Sequence, residues 1–442
     1  MLKFYELGGT LPVWELAGNE TWCMIGYHSV SVIADAYAKG ICSFDTEKAL
    51  EAMFESAGSD RFSIDHYRKY GYIPGELGSE SVSRTLEYAY DDWCIATFAL
   101  LTGHKDVYRE FIARAQYYKN ILDPATGFMR AKVNSAWVEP FDPREVNFHY
   151  TEANSWQYSF YVPQDITTLI DLLGGNKAFC QRLDSLFNSP PEMTGRNQPD
   201  ISGMIGQYAH GNEPSHHIAY LYSYAGKPWK TQKLVKQIMN TLYNDTPDGL
   251  CGNEDCGQMS AWYVMSALGF YPVTPGSNIY IIGSPLFKKA VIDVGGGKKF
   301  TIEARGLTDK NIYIKRAWLN GAPYNKCYIM HKDIISGGKL TFEMSSLPNK
   351  KWGTAEGNYP TSIIKDEPIT PVPYVSKGER VFRDSTILEL SCLIDTDIFY
   401  KATPLTEDTM TKPAVKQSRK ENSAYSKRGK NNFLQYKHPI KI

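Results

Sequence analysis

Apolar residues recur with helical spacing through the first part of the chain, up to about residue 270. From Val30 to Tyr37 they stand at i, i+3, i+4 and i+7, and the pattern stops at Gly40, which predicts a helix with a glycine C-cap. Asp45 then predicts the N-cap of a second helix, TEKALEAMFESA.

Seven later segments show the same spacing, and most of them form pairs separated by a short turn. They read RTLEYAYDDWCIATFALLTG with DVYREFIARAQYYKNIL, DITTLIDLLGG with KAFCQRLDSLF, SHHIAYLYSYAG with WKTQKLVKQIMNTLY, and GQMSAWYVMSALG. Helices paired in this way are successive αα-hairpins.

The hairpins predict a mainly α fold, an (α/α)6 toroid over residues 1–274 that carries its site on the loops at one end. An ordinary helical bundle is the alternative. About nine helices are recognisable, against the twelve of a closed ring of six hairpins, so we expect upstream helices to be missing from this chain.

Beyond residue 274 the periodicity changes from helical to alternating. Short runs such as NIYIIG, KAVIDVGG, KKFTIEARG and KLTFEMSS predict a β-sandwich-like region over residues 275–350. Prolines then indicate a linker over residues 351–378. Residues 379–411 predict a small degenerate β module, and the basic residues 412–442 predict a disordered tail.

Composition excludes some classes of partner. Lysine plus arginine equal aspartate plus glutamate at 48 each, so overall charge gives no reason to expect a nucleic acid partner. No apolar run approaches the roughly 20 residues of a membrane span, so we expect no span, and no signal peptide follows Met1. Cys251 and Cys256 make a poor zinc pattern with His216 and His217. Aromatic residues, 13% of the chain, either fill a core or stack on a ligand such as a sugar.

Three polar loops precede or open predicted helices: FHYTEANSWQYSFYVPQD, HGNEPSHH and GNEDCGQMSAW. Each holds a carboxylate flanked by amides and aromatic residues. Helix capping explains any one of them, because the helix dipole stabilises an anion there. Three together are more typical of a sugar site, where two carboxyl groups perform proton chemistry. The same oxygen-rich set also suits a hard cation such as calcium.

Seven segments, taken in order, resemble successive motifs of glycoside hydrolase family 92, the calcium-dependent exo-acting alpha-mannosidases. They are GNETWCMIGYHSVSVIADAYAKGI, SRTLEYAYDDWCIATFA, NILDPATGFMRAK, YTEANSWQYSFYVPQD, YAHGNEPSHHIAYLY, GNEDCGQMSAWYVMSALGFYPVTPGS and GGKLTFEMSSLPNK, within about Gly8 to Lys350. The resemblance implies a toroidal catalytic domain that removes terminal alpha-linked mannose, with alpha-1,2 linkage expected, from mannose-containing oligosaccharides or N-glycans. It also implies inversion of configuration and calcium as cofactor.

The resemblance assigns the two catalytic roles to specific residues. Glu152 in YTEANSWQY takes the place of the general acid, and Asp255 in GNEDCGQM takes that of the base that activates water. Their carboxyl groups are then expected roughly 6.5–9.5 Å apart, which leaves room for the water. Asn253 stands where some members have aspartate, so a second acidic helper is expected to be absent here.

Other site residues follow from the same resemblance. Glu213, Asn212 and Gln157 are candidates for binding calcium or the mannose hydroxyls near it. Asn253 is also a candidate contact in the sugar pocket. Five further candidates, each with core or capping service as the alternative, are His217, Asp92, Trp93, Trp14 and Glu20.

The chain also departs from the family pattern. Members carry a β-sandwich domain upstream of the toroid, whereas this chain begins at MLKFYELGG. We therefore expect an N-terminally truncated chain, with a separately encoded N-terminal β-sandwich domain as candidate partner. The family suggests a periplasmic or extracellular location. The alternative function is an inactive remnant that at most binds mannosides; a weaker one is a glucosidase or polysaccharide lyase on the same toroid.

Overall fold

The computed structural model describes residues 1–379, 381–401 and 440–441. The predicted tail over residues 412–442, apart from residues 440 and 441, lies outside the described residues. Part of the β module predicted over residues 379–411 also lies outside them.

Helices dominate the first half of the chain. The described residues form α1 Leu2–Gly8, α2 Ser29–Ala38, α3 Thr46–Gly58, α4 Ile64–Tyr70, α5 Ser81–Thr102, α6 Lys105–Arg114, α7 Ser155–Tyr158, α8 Ile166–Leu172, α9 Gly175–Asn188, α10 Leu221–Tyr224, α11 Pro228–Thr241, α12 Gln258–Leu268 and α13 His331–Ile335. None of the helices in the described ranges is both long enough and apolar enough to cross a membrane.

Local sequence signals account for several helix ends. The Asp45 carboxylate accepts a hydrogen bond from the backbone N–H of Lys48 (3.0 Å) and caps α3, which confirms that prediction. α5 is followed by Gly103 in the left-handed conformation, with φ of 90°, as a glycine C-cap requires. The helix predicted to stop at Gly40 is α2, which ends two residues earlier.

The segment SHHIAYLYSYAG forms less helix than predicted. It contains a 3₁₀ turn over Ile218–Tyr220 and only one α turn, α10. The ring N–H of His216 donates to the His210 carbonyl (2.8 Å). The ring N–H of His217 donates to the Phe160 carbonyl (2.7 Å). The bond of His217 ties the start of the segment to a residue distant in sequence, and the apolar spacing alone does not reveal it.

α5 is the centre of one helical core, against which α2, α3 and α6 pack. A second core joins α8, α9 and α11 with Trp262 of α12, whose side chain is fully buried. Helices that follow each other in sequence therefore pack against each other, as short connections favour.

Short strands lie in the loops between the helices. They are β1 Glu15–Leu16, β2 Asn19–Glu20, β3 Leu122–Asp123, β4 Phe128–Met129, β5 Lys132–Val133, β6 Ala136–Trp137, β7 Glu145–Val146, β8 Thr194–Gly195, β9 Met204–Ile205 and β10 Tyr208–Ala209. β7 pairs with β8 in parallel, which brings the chain that leads to Glu152 beside the segment that leads to Asp200.

The alternating runs form strands, as predicted. They are β11 Phe270–Tyr271, β12 Ile279–Ile282, β13 Lys289–Gly295, β14 Lys298–Arg305, β15 Tyr313–Leu319, β16 Ala322–Pro323, β17 Tyr328–Met330 and β18 Gly338–Ser345. They make a three-stranded sheet, β11-β12-β17, and a five-stranded sheet, β13-β14-β18-β15-β16, in which only β14 and β18 are parallel. Alternate residues such as Phe300 and Ile302 fill the core of this region.

The proline-rich segment predicted as a linker packs against the helical part. The backbone N–H of Ile364 donates to the Asp165 carboxylate (2.9 Å), and that of Val372 donates to Asn120 Oδ1 (2.8 Å). The strands that follow are β19 Tyr374–Lys377, beside β6, then β20 Ile387–Ser391 and β21 Ile440–Lys441. Backbone hydrogen bonds therefore hold this segment to the helices.

Candidate active site

A cavity of about 370 Å³ opens where the three polar loops meet. Its lining residues are Val13, Trp14, Met24, Ile25, His28, Glu87, Thr151, Glu152, Tyr158, Tyr161, Asn212, Glu213, Pro214, Asp255 and Cys256. Of the predicted site residues, the fold thus brings together Glu152, Asp255, Asn212, Glu213 and Trp14.

A capping box fixes the first loop, which carries Glu152. Asn154 caps α7 through its side chain, and Gln157 Oε1 accepts a hydrogen bond from the Asn154 N–H (2.8 Å). Gln157 also donates to the Gln207 carbonyl (3.0 Å). Both polar atoms of this buried side chain are therefore engaged, one in the cap and one with Gln207, and Gln157 does not line the cavity as its predicted role requires. Glu152 itself has φ of 48°, a strained conformation of the kind that clusters at functional sites.

Asn212 ties the second loop to the first. Its Nδ2 donates to the Glu152 carbonyl (2.9 Å), and its Oδ1 accepts from the Glu213 backbone N–H (3.1 Å). Asn212 therefore positions the loop. Glu213 Oε1, by contrast, is buried and has no hydrogen-bond partner among the described residues. A buried acceptor without a donor is costly, and Glu213 lines the cavity, so this side chain is suited to a ligand.

A close backbone approach brings the third loop against the second. A Cβ at Gly252 would lie 2.7 Å from the Cα of Gly211, so only glycine fits there without displacement. Asp255 and Cys256 follow with left-handed φ values of 46° and 54°. This contact holds Asp255 at the cavity beside Glu213.

Two carboxyl groups of the cavity have raised pKa values. Burial raises the pKa of Glu152 to about 7, and the negative charges of Asp200 and Asp255 add to the effect. Burial also raises the pKa of Glu213 to about 7, and the neighbouring Asp255 adds to that effect. Glu152 therefore holds a proton near neutral pH, which a general acid requires.

A histidine held between two carboxylates forms another part of the cavity wall. His28 Nδ1 lies 2.7 Å from Asp91 Oδ1, and its Nε2 lies 3.0 Å from Glu87 Oε2. Burial lowers the pKa of His28, but the two carboxylates outweigh burial and raise it well above its ordinary value. Sequence analysis missed these residues. The available signal was the spacing of Glu87 and Asp91, four residues apart on one face of α5.

Glu20 acts on the cavity through the loop that carries Trp14. Its carboxylate accepts backbone N–H bonds from Val13 (2.6 Å), Trp14 (3.1 Å) and Trp22 (2.8 Å). Trp14 lines the cavity, whereas Glu20 shapes the loop, which is the capping alternative named for it.

The two candidates on α5 lie away from the cavity. Asp92 is buried in the core, where its carboxylate accepts hydrogen bonds from Arg114 Nε (2.9 Å), Tyr27 (2.7 Å) and Tyr67 (2.9 Å). Trp93 is partly buried and stacks on Tyr90, with ring centroids 6.3 Å apart. Successive residues of a helix point about 100° apart, so Asp92 faces the core while the preceding residue, Asp91, faces His28.

His217 and Asn253 also lie outside this cavity. Burial lowers the pKa of His217 to about 4, so its ring is neutral when it donates to the Phe160 carbonyl. His217 lines an adjoining cavity of about 180 Å³. Asn253 is exposed, and its Nδ2 donates to Asp200 Oδ1 (3.1 Å). Asp200 is a further acidic residue that sequence analysis missed, because its loop carries no recognisable motif.

The described residues contain no group of three or more histidine, cysteine, aspartate or glutamate side chains arranged to hold a metal ion. Glu213 is nevertheless suited to a hard cation, because its Oε1 lacks a partner and the charge of Asp255 lies nearby. Further ligands would then be carbonyl, water or substrate oxygens.

Glu152, which holds a proton near neutral pH, lies with Asp255 on one cavity, and such a pair of carboxyl groups is the kind of site that glycoside hydrolases use. The chain belongs to glycosyl hydrolase family 92, since the profile of that family's catalytic domain matches residues 1–346. The resemblance seen in the sequence is therefore confirmed.

Solved structures of this family are similar to the chain. A family GH92 alpha-mannosidase from Bacteroides thetaiotaomicron, in complex with mannoimidazole, is 44% identical, with a TM-score of 0.78 over 82% of this chain and 49% of its own. The family GH92 inverting mannosidase from Bacteroides thetaiotaomicron VPI-5482 is 40% identical, with a TM-score of 0.75 over 82% of this chain and 52% of its own.

A curated protein is also similar. An uncharacterized secreted glycosidase from Arthroderma benhamiae is 30% identical over 408 residues, which are 82% of this chain and 50% of that protein. The chain thus spans about half the length of each of these relatives.

Proposed function

We propose that the protein is an exo-acting alpha-mannosidase that removes terminal alpha-linked mannose with inversion, on an (α/α)6 toroid. The observation that carries the proposal is that Glu152 and Asp255 line one cavity while the pKa of Glu152 is raised to about 7. The alpha-mannosidases among the solved relatives support mannose as the sugar.

Glu152 is the proposed general acid. Cleavage of a glycosidic bond leaves a sugar oxygen that is a poor leaving group unless it is protonated as the bond breaks. Burial and the nearby acidic residues keep Glu152 protonated near neutral pH, so it is able to donate that proton.

Asp255 is the proposed base. It accepts a proton from a water that attacks the anomeric carbon from the face opposite the leaving oxygen. We expect the two carboxyl groups roughly 6.5–9.5 Å apart, because the water has to fit between Asp255 and the sugar. The inverting mannosidase among the relatives supports this stereochemistry.

Calcium is the proposed cofactor, held by Glu213. When bound, it supplies a positive charge that holds neighbouring hydroxyl groups of mannose and favours distortion of the ring. Trp14 supplies an aromatic surface for the apolar face of the sugar. Glu20 holds the loop that presents Trp14 through hydrogen bonds from three backbone N–H groups.

We infer that the substrate is an alpha-1,2-linked mannoside in a mannose-containing oligosaccharide or N-glycan. The leaving sugar would lie at the open end of the cavity, because an exo-acting enzyme encloses only the terminal residue. The secreted glycosidase of Arthroderma benhamiae supports a periplasmic or extracellular location.

Release of mannose from alpha-1,2-mannobiose, with calcium and with a chelator, tests the proposal. Calcium-dependent release that disappears in Glu152→Gln would support it. Binding of mannobiose without turnover would favour the alternative, a chain that binds mannosides only. Activity on aryl glucosides but not mannosides would indicate a different enzyme of the same fold.

A further inference from the structure

We propose that Asp200 is a positioning residue that sets the spacing between Glu152 and Asp255 by joining the chain segments that carry them. The inference rests on the proposed function, since it concerns the same pair of carboxyl groups. Asp200 does not line the cavity and needs no contact with the sugar.

The first link runs from Asp200 to the loop of the base. Asn253 Nδ2 donates to Asp200 Oδ1 (3.1 Å), and Asn253 is two residues before Asp255. Gln198 Nε2 donates to the other oxygen, Oδ2 (2.6 Å). Hydrogen bonds to both oxygens fix the direction of the carboxylate, and bonds to an ionised acceptor are stronger than neutral ones.

The second link runs from the Asp200 segment to the segment of the acid. β8 pairs with β7, and the Arg196 backbone N–H extends the pairing to the Val146 carbonyl (2.9 Å). Ile201, next to Asp200, then packs with Val146 in a small buried cluster. The Arg196 guanidinium lies 4.6 Å from the centre of the Phe148 ring. Residues 194–201 therefore run along the chain that reaches Glu152.

Electrostatics agree with this placement. The negative charge of Asp200 raises the pKa of Glu152, after burial and ahead of Asp255. This direction agrees with the position of residues 194–201 along the chain that carries Glu152.

The base loop needs such a restraint. Asp255 and Cys256 are exposed and both have left-handed backbone conformations, which are costly for residues other than glycine. Inversion requires a fixed gap between the two carboxyl groups, and a displacement of about 1 Å is able to lower a rate about 100-fold. A bond from Asn253 to a residue anchored beside the acid is a direct way to fix that gap.

Exchange of the two side chains tests the proposal. The variants are Asp200→Ala, Asn253→Asp, and the double variant Asp200→Asn with Asn253→Asp, in which amide and carboxylate have exchanged sides. The substrates are alpha-1,2-mannobiose and alpha-mannosyl fluoride; the fluoride leaves without an acid, so its hydrolysis depends on the base and the water.

We expect each single variant to lower kcat about tenfold or more on both substrates, with KM changed less than about threefold. The double variant should recover most of the wild-type kcat, because the carboxylate–amide pair is restored. A loss limited to mannobiose, a change in KM alone, or a double variant as slow as Asp200→Ala would overturn the proposal.

A second measurement is independent of turnover. Crystal structures of the wild type and Asp200→Ala should show a different separation of the Glu152 and Asp255 carboxyl groups, and an unchanged separation would overturn the inference. A wild type that releases no mannose counts against the proposed function, while this comparison still decides the role of Asp200.

Discussion

At the scale of single residues, burial is what prepares Glu152 for its proposed role. Its loop ends in the Asn154 cap, and the backbone is held in a conformation that turns the side chain into the cavity. Burial then disfavours the charged form, as the raised pKa shows.

Glu152→Gln should reduce hydrolysis of mannosides with poor leaving groups by about 10²- to 10⁴-fold, because the amide has no proton to donate to the leaving oxygen. Mannosides whose leaving groups need little acid assistance should be nearly spared. Steady-state kinetics on alpha-1,2-mannobiose and alpha-mannosyl fluoride check this. An equal loss on both substrates would remove Glu152 from the role of acid.

The pH profile follows from the same group. Since the protonated form of Glu152 is the active one and its pKa is about 7, kcat/KM on mannobiose should fall as the pH rises through about 7. Glu213 has a similarly raised pKa, so the profile needs a control. With alpha-mannosyl fluoride, which leaves without an acid, the wild type should lack the part of that fall caused by Glu152; an identical fall on mannobiose and on the fluoride would contradict the assignment.

Sequence analysis named Glu152 and Asp255, which both line the cavity, but not every neighbour. Glu152 and Asp255 stand in motifs long enough to recognise. Asp92 stands in one too, yet it is bonded to Arg114 in the core, and which partner faces a helical residue depends on packing. Asp200 lies in a loop without a motif, so only the structure reveals its contact with Asn253.

At the scale of elements, the site depends on how closely three loops approach each other. The contact of Gly252 with Gly211 is a close backbone approach between the second and third loops. Because it has no room for a Cβ, it fixes where Asp255 lies relative to Glu213.

Gly252→Ala should therefore lower kcat and destabilise the protein by about 1–3 kcal/mol, since the added methyl group pushes the loops apart. Gly58→Ala is the matched control, because a Cβ there meets no atom within 4 Å. Denaturant unfolding and kinetics of both variants check this. If Gly252→Ala matched the wild type in both measurements, the loop contact would have no part in placing Asp255.

Helices and strands were predicted well because their signals are local. Asp45 caps α3, and Gly103 ends α5. The strands of the β region show an alternation of buried and exposed residues. The segment after His216 was predicted less well, because apolar spacing does not distinguish a 3₁₀ turn followed by one α turn from a continuous helix. Convergence of the polar loops is a property of the fold, which sequence analysis expected from the helix hairpins of the predicted toroid.

At the scale of the whole molecule, the segment that follows the β region, residues 351–378, packs back against the helical part. Sequence analysis treated residues 351–378 as a linker, because proline content says nothing about tertiary contacts. Backbone hydrogen bonds to Asp165 and Asn120 instead hold this segment in place.

Calcium binding should appear as a change in stability of the whole molecule. An ion that binds the folded but not the unfolded protein raises the free energy of unfolding by about 2.7 kcal/mol at 100 times the dissociation constant, and the melting temperature rises with it. Calcium should therefore raise the Tm of the wild type, and a chelator should reverse the rise. Glu213→Gln should lose most of it, because the amide lacks the charge. A variant with the full rise would exclude Glu213 as the ligand.

The most direct test of the whole account is the stereochemistry of the mannose released. Proton NMR during the first turnovers of alpha-1,2-mannobiose distinguishes the two anomers before they interconvert. A water placed between Asp255 and the sugar, opposite the oxygen protonated by Glu152, gives beta-mannose first. Initial release of alpha-mannose would contradict the two-carboxylate arrangement on which the account depends.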